Sequence, residues 1–240
     1  MSGNLERITK LLARRGLCSR REAEEFLCRG WIQVNGETVT QPGSKALEMD
    51  QITLTRNARD ILSQKQTLLL NKPPGIVSAQ AEDGYLPAAR LLTRKNHIGP
   101  VPWRKVATDL AAAGRLDIDS RGLLVLTNNG VVAKTLISPN SRIEKEYIVT
   151  YTGKISEKKL IRLGHGLSLD GRTLRPAKVH SIGRSTLCFV LQEGRKRQIR
   201  RMCEMLELRV ISLCRTRIGN IELADLPPGK WRFMAGDEAF

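Results

Sequence analysis

The hydrophobic positions of the chain mark out helices first and strands later. Leu5, Ile8 and Leu12 fall on one face of a helix that Gly16 stops. Ser19-Arg20-Arg21-Glu22 places Ser at a cap and Glu three residues on, and Ala23, Phe26 and Leu27 then form the buried stripe of a second helix before Gly30. Trp31–Val34 and Glu37–Thr40 flank an Asn35-Gly36 turn and read as a hairpin. Arg56–Gln66 is short and polar and reads as a linker.

Beyond residue 60 strand-like runs dominate: Thr67–Asn71, Leu123–Thr127, Glu146–Thr152, Val179–Ile182, Leu187–Leu191 and Val210–Cys214, with helices near Val131–Ile137 and Ser156–Leu163. No parallel βαβ repeat is evident, and Gly84–Ala113, with Pro87, Pro100 and Pro102, reads as partly irregular. The fold class is α+β, or mixed α/β: a small helical-pair domain over residues 1–60, then a larger domain around one central sheet over 61–240.

Two stretches stand out from this pattern. Ala113–Ser120 is a polar loop with one Arg and two carboxylates, and it runs straight into the apolar Leu123–Leu126 strand fenced by Gly122 and Asn129-Gly130. Polar groups on a loop mounted on a buried strand are held well enough for chemistry, although a solvated turn would look the same. Farther on, Ile199, Met202, Cys203 and Leu206 form an i, i+3, i+4, i+7 stripe, which puts Lys196, Arg197, Arg200 and Arg201 on the flanks and far side of one helix. A phosphate-binding face and a merely solvated one both fit that geometry.

Charge narrows the partner. Forty basic residues against 24 acidic give a net charge of +16, which points to a polyanion such as RNA, DNA or an acidic membrane surface. Residues 1–60 carry only two of those net charges and residues 61–240 carry 14. No apolar run approaches the ~18 residues that span a bilayer, and Met1–Glu6 does not begin a secretory signal, so a cytoplasmic protein without membrane attachment is expected. Cys18, Cys28, Cys188, Cys203 and Cys214 are scattered and odd in number, and His97, His165 and His180 stand alone. Neither a disulfide framework nor a metal site is expected, and no glycine-rich phosphate loop appears.

Gly114-Arg115-Leu116-Asp117 resembles the catalytic signature of the pseudouridine synthases, enzymes that isomerise uridine in RNA. Three more stretches resemble the family in its order: Leu70-Asn71-Lys72-Pro73-Pro74-Gly75, Glu144-Lys145-Glu146-Tyr147, and Glu193-Gly194-Arg195-Lys196-Arg197-Gln198-Ile199-Arg200-Arg201-Met202. The nearest branch is the bacterial ribosomal-RNA synthases with a small N-terminal RNA-binding domain. The first sixty residues, with Arg14, Arg15, Arg20 and Arg21 crowding the helix junction, resemble an RNA-binding module first known from a small-subunit ribosomal protein.

The resemblance implies a mostly antiparallel sheet with the active-site cleft across its middle. It implies Asp117 as nucleophile, Tyr147 under the flipped base, and Arg200 beside Asp117 in a charge-assisted pair. No cofactor is needed, because nothing is gained or lost in the isomerisation. Arg115 is the candidate to fill the gap left by an extruded base. Lys196, Arg197 and Arg201 are expected to contact the RNA backbone; Lys72 either lines the cleft or is a solvated turn residue. Asp119 is expected to be structural, and Asn129 stands where many relatives are acidic.

The expected partner is ribosomal RNA, most of all that of the large subunit, with small-subunit ribosomal RNA, whose enzymes share the Asp119-Ser120 context, or transfer RNA as alternatives, met by a monomer. Arg215-Thr216-Arg217-Ile218 together with the Gln198–Cys203 stretch looks most like the large-subunit enzymes. A non-catalytic RNA-binding protein would explain the charge but not the Asp–Tyr–Arg set. A glycosidase would use Asp117 but usually pairs two carboxylates.

Overall fold

The computed structural model describes residues 4–79 and 84–240; Met1–Gly3, where the reading of the N-terminus begins, lie outside them. Helices α1 (Ile8–Arg14) and α2 (Arg20–Cys28) pack against a three-stranded sheet of β1 (Ile32–Val34), β2 (Glu37–Val39) and β3 (Ile52–Leu54), with β1 in the middle. Ser19 caps α2 through the reciprocal box, its Oγ accepting from the Glu22 N–H at 3.3 Å while Glu22 Oε2 accepts from the Ser19 N–H at 2.8 Å. Ile8, Leu11, Leu12, Ala23, Phe26 and Leu27 form the core with Ile32.

Two expectations change in this domain. Leu5 lies before α1 and is 58% exposed, because the chain is extended at Glu6–Arg7 and pairs there with Lys45–Ala46. The expected linker is mostly helix α3 (Arg56–Ser63), whose Ala58, Ile61 and Leu62 pack into the same core. Its polar composition hid an amphipathic period, since only one helix face needs to be apolar.

The large domain is built on β4 (Thr67–Lys72), β5 (Arg121–Thr127), β6 (Lys145–Thr152), β7 (Lys178–Gly183), β8 (Thr186–Leu191), β9 (Arg209–Ile218) and β10 (Trp231–Phe233), in the order β7-β8-β6-β9-β5-β4-β10. Ala111–Ala112 adds to β5 and Ile221–Glu222 to β9. Neighbours are antiparallel except β5 and β9, which run parallel and pair only at Arg121–Cys214 and Gly122–Arg215. That short seam joins two halves. In one, α5 (Glu157–Gly164) and α6 (Gln198–Glu204) help bury Val149, Tyr151, Leu187, Phe189, Ile199 and Met202.

In the other half both sheet faces are covered. Leu68, Leu70, Leu124 and Leu126 pack with Trp231 and Phe233, while Leu69, Leu123 and Val125 pack with Leu136 of α4 (Gly130–Ile137). Double burial is why these strands read as continuous apolar runs instead of alternating ones. The expected irregular stretch contains two 3₁₀ turns, Ala88–Leu91 and Arg94–Asn96, and its Leu91, Leu92, Val101 and Val106 cover the first of those faces. Asn129 caps α4, its Oδ1 accepting from the Val131 and Val132 N–H groups at 3.0 and 3.2 Å. An aspartate there would do the same work.

The seam leaves no room at Gly122. Its φ is +106°, and a Cβ there would overlap the Arg215 carbonyl oxygen and lie 2.7 Å from the Arg215 nitrogen. Gly122→Ala therefore forces β5 and β9 apart and imposes an unfavourable backbone conformation. A loss of about 3 kcal/mol or more is expected in chemical denaturation.

Candidate active site

Above the seam lies a cleft of about 930 Å³, lined by the Gly114–Asp117 loop, the end of α4, Lys145 and Tyr147 of β6, the Leu191–Arg200 segment, and Arg215. The loop is tied down along its backbone. Arg215 Nη2 donates to the Gly114 carbonyl at 3.0 Å. Ser78 Oγ accepts from the Leu116 N–H at 2.9 Å and donates to the Leu116 carbonyl at 2.6 Å. The Ile118 carbonyl accepts from the Gly75 N–H at 2.8 Å, and Arg200 Nη2 donates to the Asp119 carbonyl at 3.2 Å. Among the described residues the half-buried Asp117 carboxylate has no hydrogen-bond or ion-pair partner, so the backbone is fixed while the side chain stays available.

Tyr147 lies on β6 opposite Arg215 of β9, which in turn lies opposite Gly122 of β5, so the three stand in one row across the seam. Neighbouring strands sit ~4.8 Å apart, so the row keeps Tyr147 close to the loop that leads into Gly122. Tyr147 packs against the cores of both halves.

Arg200 has a different carboxylate from the one expected. It pairs with Asp119 at 3.2 Å, as does Arg197, also at 3.2 Å. Burial pushes the Asp119 carboxyl up, but the Arg197 and Arg200 guanidinium groups outweigh that and hold it below the usual range. Asp119 thus clamps the basic segment to the loop. Arg197 takes a left-handed backbone, φ +52°, ahead of α6, a strained conformation of the kind that gathers at functional sites. The helix is therefore shorter than the basic run, and Lys196 and Arg197 precede it instead of riding on its flank.

The structure gathers Asp117, Tyr147, Arg115, Arg200, Lys196 and Arg197 around the cleft. It does not bring the other expected residues there. Lys72 is fully buried, donating to the Pro73 and Ile76 carbonyls at 2.9 and 2.8 Å and to Ile118 at 3.4 Å, so it braces the loop from below and cannot reach a phosphate. Its proline-rich turn folds back over the amine, which the sequence did not signal. Arg201 forms a two-pronged pair with Asp170 at 3.0 and 2.6 Å. Arg14, Arg15, Arg20 and Arg21 are exposed on the small domain; Arg14 pairs with Glu6 and Glu48, and Arg15 with the carbonyls of Glu48 and Asp50.

Sequence reasoning missed Arg215, Lys145 and Arg175. Buried Arg215 donates through Nε to the Leu123 carbonyl at 2.7 Å. Arg175 holds the Pro139 and Ser141 carbonyls at 2.7 and 3.3 Å. Lys145 could have been found, because two residues before Tyr147 on a strand is the same face. Its ammonium donates to the Leu136 carbonyl at 3.2 Å. The five cysteines are free thiols, and among the described residues no three of His, Cys, Asp and Glu gather where a metal could sit. No helix of the described residues is long and apolar enough to cross a membrane.

Residues 66–205 match the model of the RNA pseudouridylate synthase family, and residues 6–52 that of the S4 domain. The chain belongs to the RNA pseudouridylate synthase family. It is 35% identical over 237 residues to the dual-specificity RNA pseudouridine synthase RluF of Escherichia coli O157:H7, covering 97% of this chain and 76% of that one. It is 32% identical over 249 residues to ribosomal large subunit pseudouridine synthase B of Bacillus subtilis, covering 98% and 94%. A crystal structure of a pseudouridylate synthase superposes with a TM-score of 0.64 and 26% identity, covering 95% of this chain and 96% of that one. The expected synthase activity, the fold class and the N-terminal RNA-binding module follow from these matches.

Lys145 gives the synthase cleft a pH dependence. Burial, then Arg215 and Arg175, bring its pKa down from 10.5 to about 8. The amine is therefore charged below pH 8 and neutral above it, and a polyanion binds the charged form better. RNA affinity should fall as pH rises through about 8, and Lys145→Arg, which stays charged, should flatten that part of a plot of log Kd against pH.

Proposed function

We propose that this synthase isomerises a uridine of large-subunit ribosomal RNA, with Asp117 as nucleophile acting on a base flipped out of its stack. The observation that carries the reading is the Asp117 loop, fixed along its backbone with a carboxylate that has no partner among the described residues and faces a basic cleft. The name of the Bacillus subtilis relative supports the ribosomal substrate. Asp117 adds covalently to the nucleoside, the bond from C1′ to N1 breaks, the uracil turns, a bond from C1′ to C5 forms, and the bond to Asp117 breaks to return the free carboxylate. The proton lost from C5 is matched by the one gained at N1, so no redox partner is required.

Tyr147 stacks on the flipped ring, and Arg200 positions the nucleophile indirectly, by holding Asp119 and its carbonyl. The N-terminal module, residues 1–60, recruits the RNA through Arg20 and Arg21, with Arg14 and Arg15 beside them. Lys196 and Arg197 bind backbone phosphates at the cleft, and Arg115 occupies the space vacated by the base. The dual specificity of the Escherichia coli relative favours a second reading, in which transfer RNA is also accepted.

Two experiments test this. Asp117→Asn should abolish tritium release from RNA labelled at uridine C5, with thermal unfolding and RNA affinity close to wild type and no free uracil formed by either protein. Retained turnover would sink the nucleophile assignment. Arg115→Ala should slow modification of folded ribosomal RNA by about tenfold or more while sparing a short unstructured oligomer, since only the former leaves a gap to fill. Equal losses on both substrates would remove the gap-filling role.

A further inference from the structure

The catalytic cleft leaves unused a second cationic surface. Residues 88–108 contain five basic residues, Arg90, Arg94, Lys95, Arg104 and Lys105, and no acidic one. All five are exposed, and among the described residues none of their side chains pairs with a carboxylate. Between them stands Trp103, 42% exposed, with the Arg94 guanidinium 5.2 Å from its ring centre.

This segment is irregular yet firmly mounted. The Trp231 indole N–H donates to the Thr93 carbonyl at 2.9 Å, the Ile98 N–H donates to the Trp231 carbonyl at 2.9 Å, and His97 packs on the Trp231 ring at 4.7 Å. Farther along, Arg104 lies 4.9 Å over Phe233, and the Gln66 side chain bonds the Lys105 carbonyl and the Ala107 N–H at 2.8 and 2.9 Å. An exposed indole held in place costs little further ordering when a ring stacks on it.

We propose that this surface binds an unpaired stretch of the substrate RNA, with a base stacked on Trp103 and phosphates on the surrounding Arg and Lys side chains. Interleaved cations and an aromatic ring are the chemistry that holds single-stranded nucleic acid without reading its sequence. A run of five basic residues with no acidic one between them, on a chain of net charge +16, matches a polyanion better than a protein of mixed charge.

Its place in the fold is fixed relative to the Asp117 loop. Gln66 precedes β4, at the end of the strand pair where Thr67 faces Thr127, whereas the Asp117 loop enters β5 at Arg121, the opposite end. The Lys105 end of the surface therefore lies about 20 Å along the strands from the point where the loop enters. Lys95, whose carbonyl accepts from Lys230 Nζ at 3.1 Å beside Asn71, lies near the loop end of the same strand pair.

The proposal rests on the RNA-modifying reading, and the test separates the two. Unmodified large-subunit ribosomal RNA made in vitro, partly substituted with 4-thiouridine, is photo-crosslinked to the full chain and the peptides mapped. Crosslinks are expected within residues 91–108. In filter binding, Trp103→Ala should weaken affinity about tenfold and Trp103→Phe should restore most of it. The double variant Lys95→Glu/Lys105→Glu should weaken binding and flatten its salt dependence by one to two units of slope, about one phosphate contact per lysine.

Wild-type affinity in the Trp103→Ala variant, or crosslinks confined to the cleft and the S4 domain, overturns the proposal. So does weakened binding to assembled ribosomal subunits with unchanged binding to naked RNA, which would assign the surface to a protein. If the wild-type chain forms no pseudouridine but the variants still lose RNA affinity, the synthase reading fails and this surface stands.

Discussion

The close approach of β5 and β9 at Gly122 is the contact on which the site depends. Two parallel strands meet for only two residue pairs, and they meet there because Gly122 has no side chain to hold the Arg215 backbone away. That approach puts the Arg215 guanidinium directly beneath the loop, where it bonds the Leu123 and Gly114 carbonyls. Burying a guanidinium is costly unless its donors are used, and charge-assisted bonds to the two carbonyls offset the cost. Outside these two pairs the strands diverge, and the cleft opens between the two halves of the sheet.

The charges around that cleft are layered. Lys72 and Arg215 lie beneath the loop, both buried, while Lys145, Arg175, Arg197 and Arg200 stand along its walls. Burial lowers the Lys72 pKa to about 8, opposed by Asp119 and Asp117 above it. Of the two loop carboxylates, Asp119 is neutralised by a pair of arginines, so it neither repels a polyanion nor competes with its neighbour. Asp117 is left facing a positive surface of the kind that attracts a polyanion.

The S4 domain is seated on the same framework. Gly130, at the start of α4, packs so tightly on Ser19 that a Cβ there would lie 2.8 Å from its hydroxyl, and Lys134 of the same helix donates to the Ala13 carbonyl at 3.2 Å. Lys65 pairs with Glu22 at 3.1 Å across the junction. The far end of α4 lines the cleft through Leu136 and Ile137. One short helix thus contacts both the N-terminal module and the cleft.

By itself the sequence determined whatever depends on local pattern: the Ser19–Glu22 box, the hairpin at Asn35-Gly36, the doubly buried Leu123–Leu126 strand, and the loop that presents Arg115 and Asp117. These follow from side-chain periodicity and capping chemistry, which act over a few residues. It left α3 as a linker because a polar helix needs only one apolar face, and it took Lys72 for an accessible cation because nothing nearby announces that the turn closes over it. Only the tertiary structure decided that Arg200 pairs with Asp119, that Arg215 supports the loop from below, and that Lys145 and Arg175 border the cleft. Those partners lie from tens of residues to about a hundred apart in the chain, and a guanidinium chooses its acceptor by the geometry of the packed sheet, which no local pattern encodes.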